Sequence, residues 1–238
     1  MTHTDAPLVL FDLDDTLSDR AAGYSAWAAR WLERHDLDPG AAMSWMVEHD
    51  DGGYTDRLTL FRDAASHFGL SDDPAAMADD YRRTSHELYQ RDPVVIAELE
   101  SLRRIGWRVG IVTNGGPGQD EKIDRIGLRP LLTCCVVSDV VGVRKPDPRI
   151  FAIAIEQAGG ADLSTTWMVG DHPTNDIVGA HQAGIATLWI AHGRDWPAEL
   201  DPPDVTVAGL AEAFAHLRSL IAAMNQRASE RAEPTTDR

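Results

Sequence analysis

The chain has 238 residues, 43% of them hydrophobic and 25% charged, the profile of a globular protein with a sizeable core. Its 38 acidic and 22 basic side chains leave a formal charge of −16, which argues against partners bound through nucleic-acid phosphates or an anionic membrane surface. No apolar run approaches the roughly 18 residues of a membrane span. Met1 to Pro7 lacks the basic start of a secretory leader, and Cys134 and Cys135 are adjacent and unsuited to pairing, so a reducing cytoplasm is the expected location.

In chain order, residues 8–13 (LVLFDL) predict a short buried strand. From 18 to 91 no strand is evident. Helix-like stretches at 21–35, 41–49, 55–68 and 75–89 predict a separate helical domain inserted after the first strand. Val94, Ile96, Leu99, Leu102 and Ile105 mark one face of a helix that Gly106 ends. Strands follow at 109–113, 134–138, 167–170 and 187–190. Asp147-Pro148 opens a helix to about residue 158, and further helices span 174–183 and 209–224. The polar tail, 225–238, is expected to be disordered. Strands alternating with helices predict an α/β core of residues 1–17 and 92–224, with a parallel sheet between two helical layers.

In such sheets ligands bind beyond the carboxyl ends of the strands, where the strand order reverses. Those ends carry Asp12, Asp14, Asp15 and Thr16; Thr113 and Asn114; and Asp171, Asn175 and Asp176, with Lys145 in a turn between prolines. Like charges gathered so closely must take up protons or bind a cation. Oxygen donors of this kind suit Mg²⁺. With a cation in place an anion can approach and a carboxylate can attack it, the logic of an aspartyl-phosphate.

The segments DLDDTL (12–17), TNG (113–115), KPDP (145–148) and GDHPTND (170–176) resemble, in order, the four motifs of the haloacid dehalogenase-like (HAD) superfamily. The resemblance implies a Rossmann-like core with an all-helical cap at 18–91, because the long interval falls between the first and second motifs. It further implies Asp12 as nucleophile, Asp14 as acid and base, Thr113 and Lys145 at the phosphoryl group, and phosphate contacts from Thr16, Asn114 and Gly115. Mg²⁺ would be held by Asp12, the Asp14 carbonyl, Asp171, and Asp176 directly or through water. The retained Asp14 favours hydrolysis of a small phosphorylated substrate, and the motif wording resembles nucleotidase-like members. A phosphomutase, a dehalogenase-type hydrolase and a non-catalytic binding module on the same fold are the alternatives.

Other features have plainer readings. His172 and His181 are nine residues apart, on opposite sides of a helix, and do not form a metal site. The sequence from Gly116 to Glu121 imitates a dinucleotide fingerprint without its third glycine. Trp27, Trp31 and Trp45 are expected in a core, and Asp19, Arg20 and Arg57 are candidate substrate contacts of the helical domain.

Overall fold

A computed structural model describes residues 6–232. Strand β1 (Leu8–Phe11) leads into four helices, α1 (Arg20–Arg34), α2 (Pro39–Asp50), α3 (Arg57–Phe68) and α4 (Pro74–Thr84). There follow α5 (Pro93–Arg104), β2 (Arg108–Thr113), α6 (Gly118–Arg125), β3 (Cys134–Val137), α7 (Ser138–Val141), α8 (Arg149–Gln157) and β4 (Thr166–Gly170). A π-helical segment, Pro173–Val178, runs into α9 (Gly179–Gln182); β5 (Ala186–Ile190), β6 (Val205–Val207) and α10 (Leu210–Ala232) complete the chain. Helices α1 to α5 each open on an aspartate (Asp19, Asp38, Asp56, Asp73 and Asp92) whose carboxylate accepts a main-chain N–H of the first turn. Part of the acidity of the sequence is therefore helix capping.

The chain divides into two compact units. The first comprises the described residues of Met1–Leu17, Asp92–Pro117 and Leu128–Arg238. Its six strands are all parallel, in the order β3-β2-β1-β4-β5-β6. On one face Leu8 and Leu10 pack with Val112, Val136 and Phe151 and Ala154 of α8. On the other, Phe11 meets Phe214 of α10 at 6.0 Å between ring centroids. The Trp107 indole also donates to the Leu217 carbonyl there. This is the three-layer α/β fold expected, with β6 as an edge strand that the apolar pattern does not announce. Strand order reverses between β1 and β4, which puts the ligand-binding crevice of the sheet at the carboxyl ends of β1, β2 and β4.

The second unit is helical, Ser18–Arg91 together with Gly118–Gly127. Its core gathers Tyr24, Trp27, Trp31, Leu32, Met46 and Phe61. Trp27 and Trp31 are fully enclosed, as expected, whereas Trp45 is only partly buried and stacks on the imidazoles of His49 and His67. Asp19 is an N-cap. Arg20 and Arg57 are not surface residues: both ion-pair with the buried Asp50, at 2.6 and 2.5 Å. Arg57 lies over the Tyr81 ring besides.

Two boundaries differ from those expected. Helix α6 groups with the helical unit because its side chains find partners there. Glu121 pairs with His86 at 2.9 Å, and the buried Lys122 ammonium sits 3.9 Å from the Tyr89 ring centroid. The predicted disorder from residue 225 is corrected for 225–232, which continue α10; alanine, arginine, glutamine and glutamate there are good helix formers. Residues 233–238 lie outside the described region.

Candidate active site

Strand register brings the site together. Phe11 pairs with Ile111 on one side and Val169 on the other. Asp12, Thr113 and Asp171 therefore leave three adjacent strands at nearly one level. The Asp12 N–H donates to the Val169 carbonyl at 2.9 Å, tying the end of β1 to β4. Residues beyond it turn sharply: Asp15 is left-handed (φ 57°) and the Leu17 N–H closes onto the Leu13 carbonyl. Asp14 is half-buried, and Thr16 is buried with its hydroxyl unpartnered.

Lys145 is the hub. It is 4% exposed, and its ammonium donates to Asp12 Oδ1 and Asp176 Oδ1, each at 2.7 Å. Its main chain is clamped from both directions by the Asn114 side chain, which accepts from Lys145 N–H at 2.9 Å and donates to Lys145 O at 3.0 Å. Asn114, expected at the phosphate, has its amide engaged in aiming the lysine. The Gly115 N–H, also expected there, donates to Ser138 Oγ and joins the ends of β2 and β3. Thr113 is buried at the end of β2.

Asp176 is fully buried; its second oxygen accepts the His172 N–H at 2.9 Å. Both oxygens thus serve the protein, one holding Lys145 and the other the start of the π-helical turn. A Cβ on Gly170 would overlap the Asp176 carboxyl, so glycine is what permits this approach. His172 caps the turn through Nδ1, which accepts from the N–H groups of Thr174 and Asn175 at 3.1 Å. Burial lowers the pKa of His172, in keeping with a neutral ring whose Nδ1 is an acceptor.

Asp12, Asp171 and Asp176 offer carboxylate oxygens that all lie within 4.8 Å of one another. Burial pushes the Asp12 carboxyl up to about 7, against the pull of Lys145, with Asp176 and Asp14 adding repulsion. Burial likewise raises Asp171 and Asp176. Burial works against the charge of Lys145, but Asp12 and Asp176 more than compensate and hold it protonated. The carboxylates outnumber the cations within reach, and the donor set is all oxygen. That composition fits a hard divalent cation such as Mg²⁺, through Asp12 and Asp171 above all. The Asp14 carboxyl is not part of this group.

Three residues at the site carry no motif. Arg194 donates to Asp171 Oδ2 at 3.0 Å and to the Asp171 carbonyl at 2.8 Å, where the Trp189 indole also donates. His192 Nε2 donates to the Asp15 carbonyl at 2.7 Å. The loop after β5 thus grips the loops after β1 and β4. Only the position of that loop, directly after a strand neighbouring β4, could have flagged it.

A family model described as haloacid dehalogenase-like hydrolase matches residues 6–184. The chain belongs to this family. A pyrimidine 5'-nucleotidase of Escherichia coli (strain K12), YjjG, is 37% identical over 207 residues, covering 86% of this chain and 83% of its own length. A phosphoserine phosphatase of Thermus thermophilus is 31% identical over 195 residues, 82% of this chain and 75% of the relative. The HAD hydrolase YfnB of Bacillus subtilis shares the fold, with a TM-score of 0.75 at 24% identity over 90% of this chain and 99% of that one. This HAD-like chain is a hydrolase of the phosphatase type. Among its described residues no helix is long and apolar enough to cross a membrane.

Proposed function

We propose that this chain hydrolyses a small phosphate monoester in the cytoplasm, through an aspartyl-phosphate on Asp12 and with Mg²⁺ at the carboxylate cluster, and that nucleoside monophosphates are among its substrates. The observation that carries the reading is the buried Lys145 ammonium 2.7 Å from Asp12 Oδ1, at the switch point of the sheet. A lysine there opposes the effect of burial on the nucleophile's charge and stands ready for a phosphoryl oxygen. The nucleotide substrate class is supported by the activity of the 37% identical Escherichia coli relative.

In the first step an Asp12 oxygen attacks phosphorus, the ester P–O bond breaks, and the Asp14 carboxyl gives its proton to the departing oxygen. In the second, Asp14 takes a proton from water as the water oxygen attacks phosphorus, and the bond from phosphorus to Asp12 breaks, releasing phosphate. Lys145 neutralises charge on the phosphoryl group throughout, held in aim by Asn114 and Asp176. Thr113 and the unpartnered Thr16 hydroxyl are donors for its oxygens. A cation held by Asp12, Asp171 and the Asp14 carbonyl would screen the carboxylate charge from the phosphate and supply Lewis-acid stabilisation of the phosphoryl group.

The test is phosphate release from a panel of nucleoside monophosphates, sugar phosphates and an aryl phosphate, with Mg²⁺ and with EDTA. Metal-dependent release, strongest on a nucleoside monophosphate, is expected. Failure on every phosphate monoester, or halide release from a 2-haloacid, would overturn the reading.

A further inference from the structure

We infer that Arg194 makes Asp171 a one-oxygen ligand and so biases the carboxylate cluster towards Mg²⁺ and against Ca²⁺. The inference rests on the proposal that the cluster holds a cation. Arg194 occupies Asp171 Oδ2 at 3.0 Å, which leaves Oδ1 as the oxygen Asp171 offers. The guanidinium is not free to follow the carboxylate. It also donates to the main-chain carbonyls of Asp171 (2.8 Å), Ala191 (3.0 Å, from Nε) and Ile190 (3.4 Å), and lies 6.0 Å from the Trp189 ring centroid. The turn that carries it is fixed in turn: His192 is left-handed (φ 49°), and its ring reaches the carbonyl of the equally left-handed Asp15.

The other two carboxylates are already restricted. Asp12 gives Oδ1 to Lys145, and Asp176 gives one oxygen to Lys145 and the other to the His172 N–H. Asp171 is therefore the carboxylate whose second oxygen decides whether the cluster can chelate. Ca²⁺ takes six to eight oxygens and readily binds carboxylates through both; Mg²⁺ takes six at short range, one per carboxylate, and keeps several waters. An arginine on Oδ2 costs Mg²⁺ little and denies Ca²⁺ a ligand. Its positive charge weakens both divalent ions alike, so the charge effect cancels in the ratio of their dissociation constants and the geometric effect does not.

The experiment is calorimetric titration of the full chain with Mg²⁺ and with Ca²⁺, for the parent, Arg194→Ala, Arg194→Met and Arg194→Lys, with melting temperatures alongside. Arg194→Ala and Arg194→Met should shift the Ca²⁺/Mg²⁺ ratio about tenfold towards Ca²⁺, the low end of what losing an outer-shell partner costs in metal affinity. Lysine, which still donates to one oxygen, should hold it within about threefold of the parent. Ca²⁺ should also inhibit Mg²⁺-supported turnover more strongly in the alanine variant. Arg194→Met keeps an unbranched stem without the donors, so it reports even where alanine fails to fold. An unchanged ratio in folded Arg194→Ala or Arg194→Met overturns the inference and leaves the cation site standing. A parent chain that binds neither ion sinks the cation reading itself.

Discussion

The two units each bury a charged cluster, and the clusters are unbalanced in opposite directions. In the helical unit one carboxylate, Asp50, is held between Arg20 and Arg57, with Tyr24 and Tyr81 against the guanidinium groups. At the sheet three carboxylates share Lys145, with Arg194 on one of them from the side. In the first case burial opposes the charge of Arg20, yet Asp50 with the nearby tyrosines holds its pKa above the ordinary arginine value. Each buried charge of that cluster has a partner of opposite sign within the protein. In the second, burial and mutual repulsion hold Asp12, Asp171 and Asp176 above the ordinary carboxylate range, so they wait for protons or a cation. A buried charge network that the protein satisfies braces the fold; one left short of positive charge is where a ligand acts.

Substitutions should separate the two. The largest effect is expected for Asp12→Asn: turnover of an aryl phosphate should fall on the order of 10⁴-fold or more, as when a nucleophile is removed, with an unchanged circular dichroism spectrum. Residual turnover near that of the parent would remove Asp12 from the nucleophile's role. Lys145→Ala should lower turnover about 10²-fold or more by taking away a transition-state stabiliser. It should also lower the melting temperature, because Asp176 is left buried without its cation; Lys145→Ala with Asp176→Asn should recover stability but not turnover.

In the helical unit Asp50→Ala should destabilise by about 3–5 kcal/mol, the cost of stranding buried partner charges, read by urea denaturation. Mg²⁺ affinity in the folded protein should stay as it was. A variant that lost Mg²⁺ binding while keeping its stability would break the contrast between the two clusters.

The smallest expected effect is a slope with pH. The Asp12 carboxyl rises from 3.8 to about 7 on folding, so without metal the folded chain retains a proton that the unfolded chain has released. The contribution of this group therefore stabilises the fold at low pH and is lost as pH rises from about 4 towards about 7. Bound Mg²⁺ needs the carboxylates ionised and removes that loss. The gain in melting temperature on adding Mg²⁺, relative to EDTA, should thus be larger at pH 7.5 than at pH 5. Equal gains at both would show that the cluster does not exchange protons for the cation.

Much of this site is legible in the amino-acid sequence. Asp12, Thr113, Lys145 and Asp171 stand at ends of short apolar runs or in a proline-framed turn, and a parallel sheet brings such ends to one side. Less legible are residues whose role depends on a partner far along the chain. Asn114 has the chemistry of a phosphate contact, and its amide also holds the main chain of Lys145, while the Gly115 N–H donates to Ser138. Arg20 and Arg57 resemble surface charges in the sequence because Asp50, which buries them, is 30 and 7 residues away. Helix α6 has too few apolar residues to announce a side, and its placement rests on Lys122 against Tyr89 and Glu121 against His86.

Local sequence by itself determined strands β1 to β5 but not β6, together with the aspartate-capped helices and the chemical types gathered at the site, since apolar periodicity, capping and motif spacing are short-range properties of the chain. Tertiary structure alone decided which oxygen of each carboxylate is already taken, by Lys145, by the His172 N–H or by Arg194. Hydrogen bonds reach only about 3 Å, and only the folded sheet brings groups from distant parts of the sequence that close.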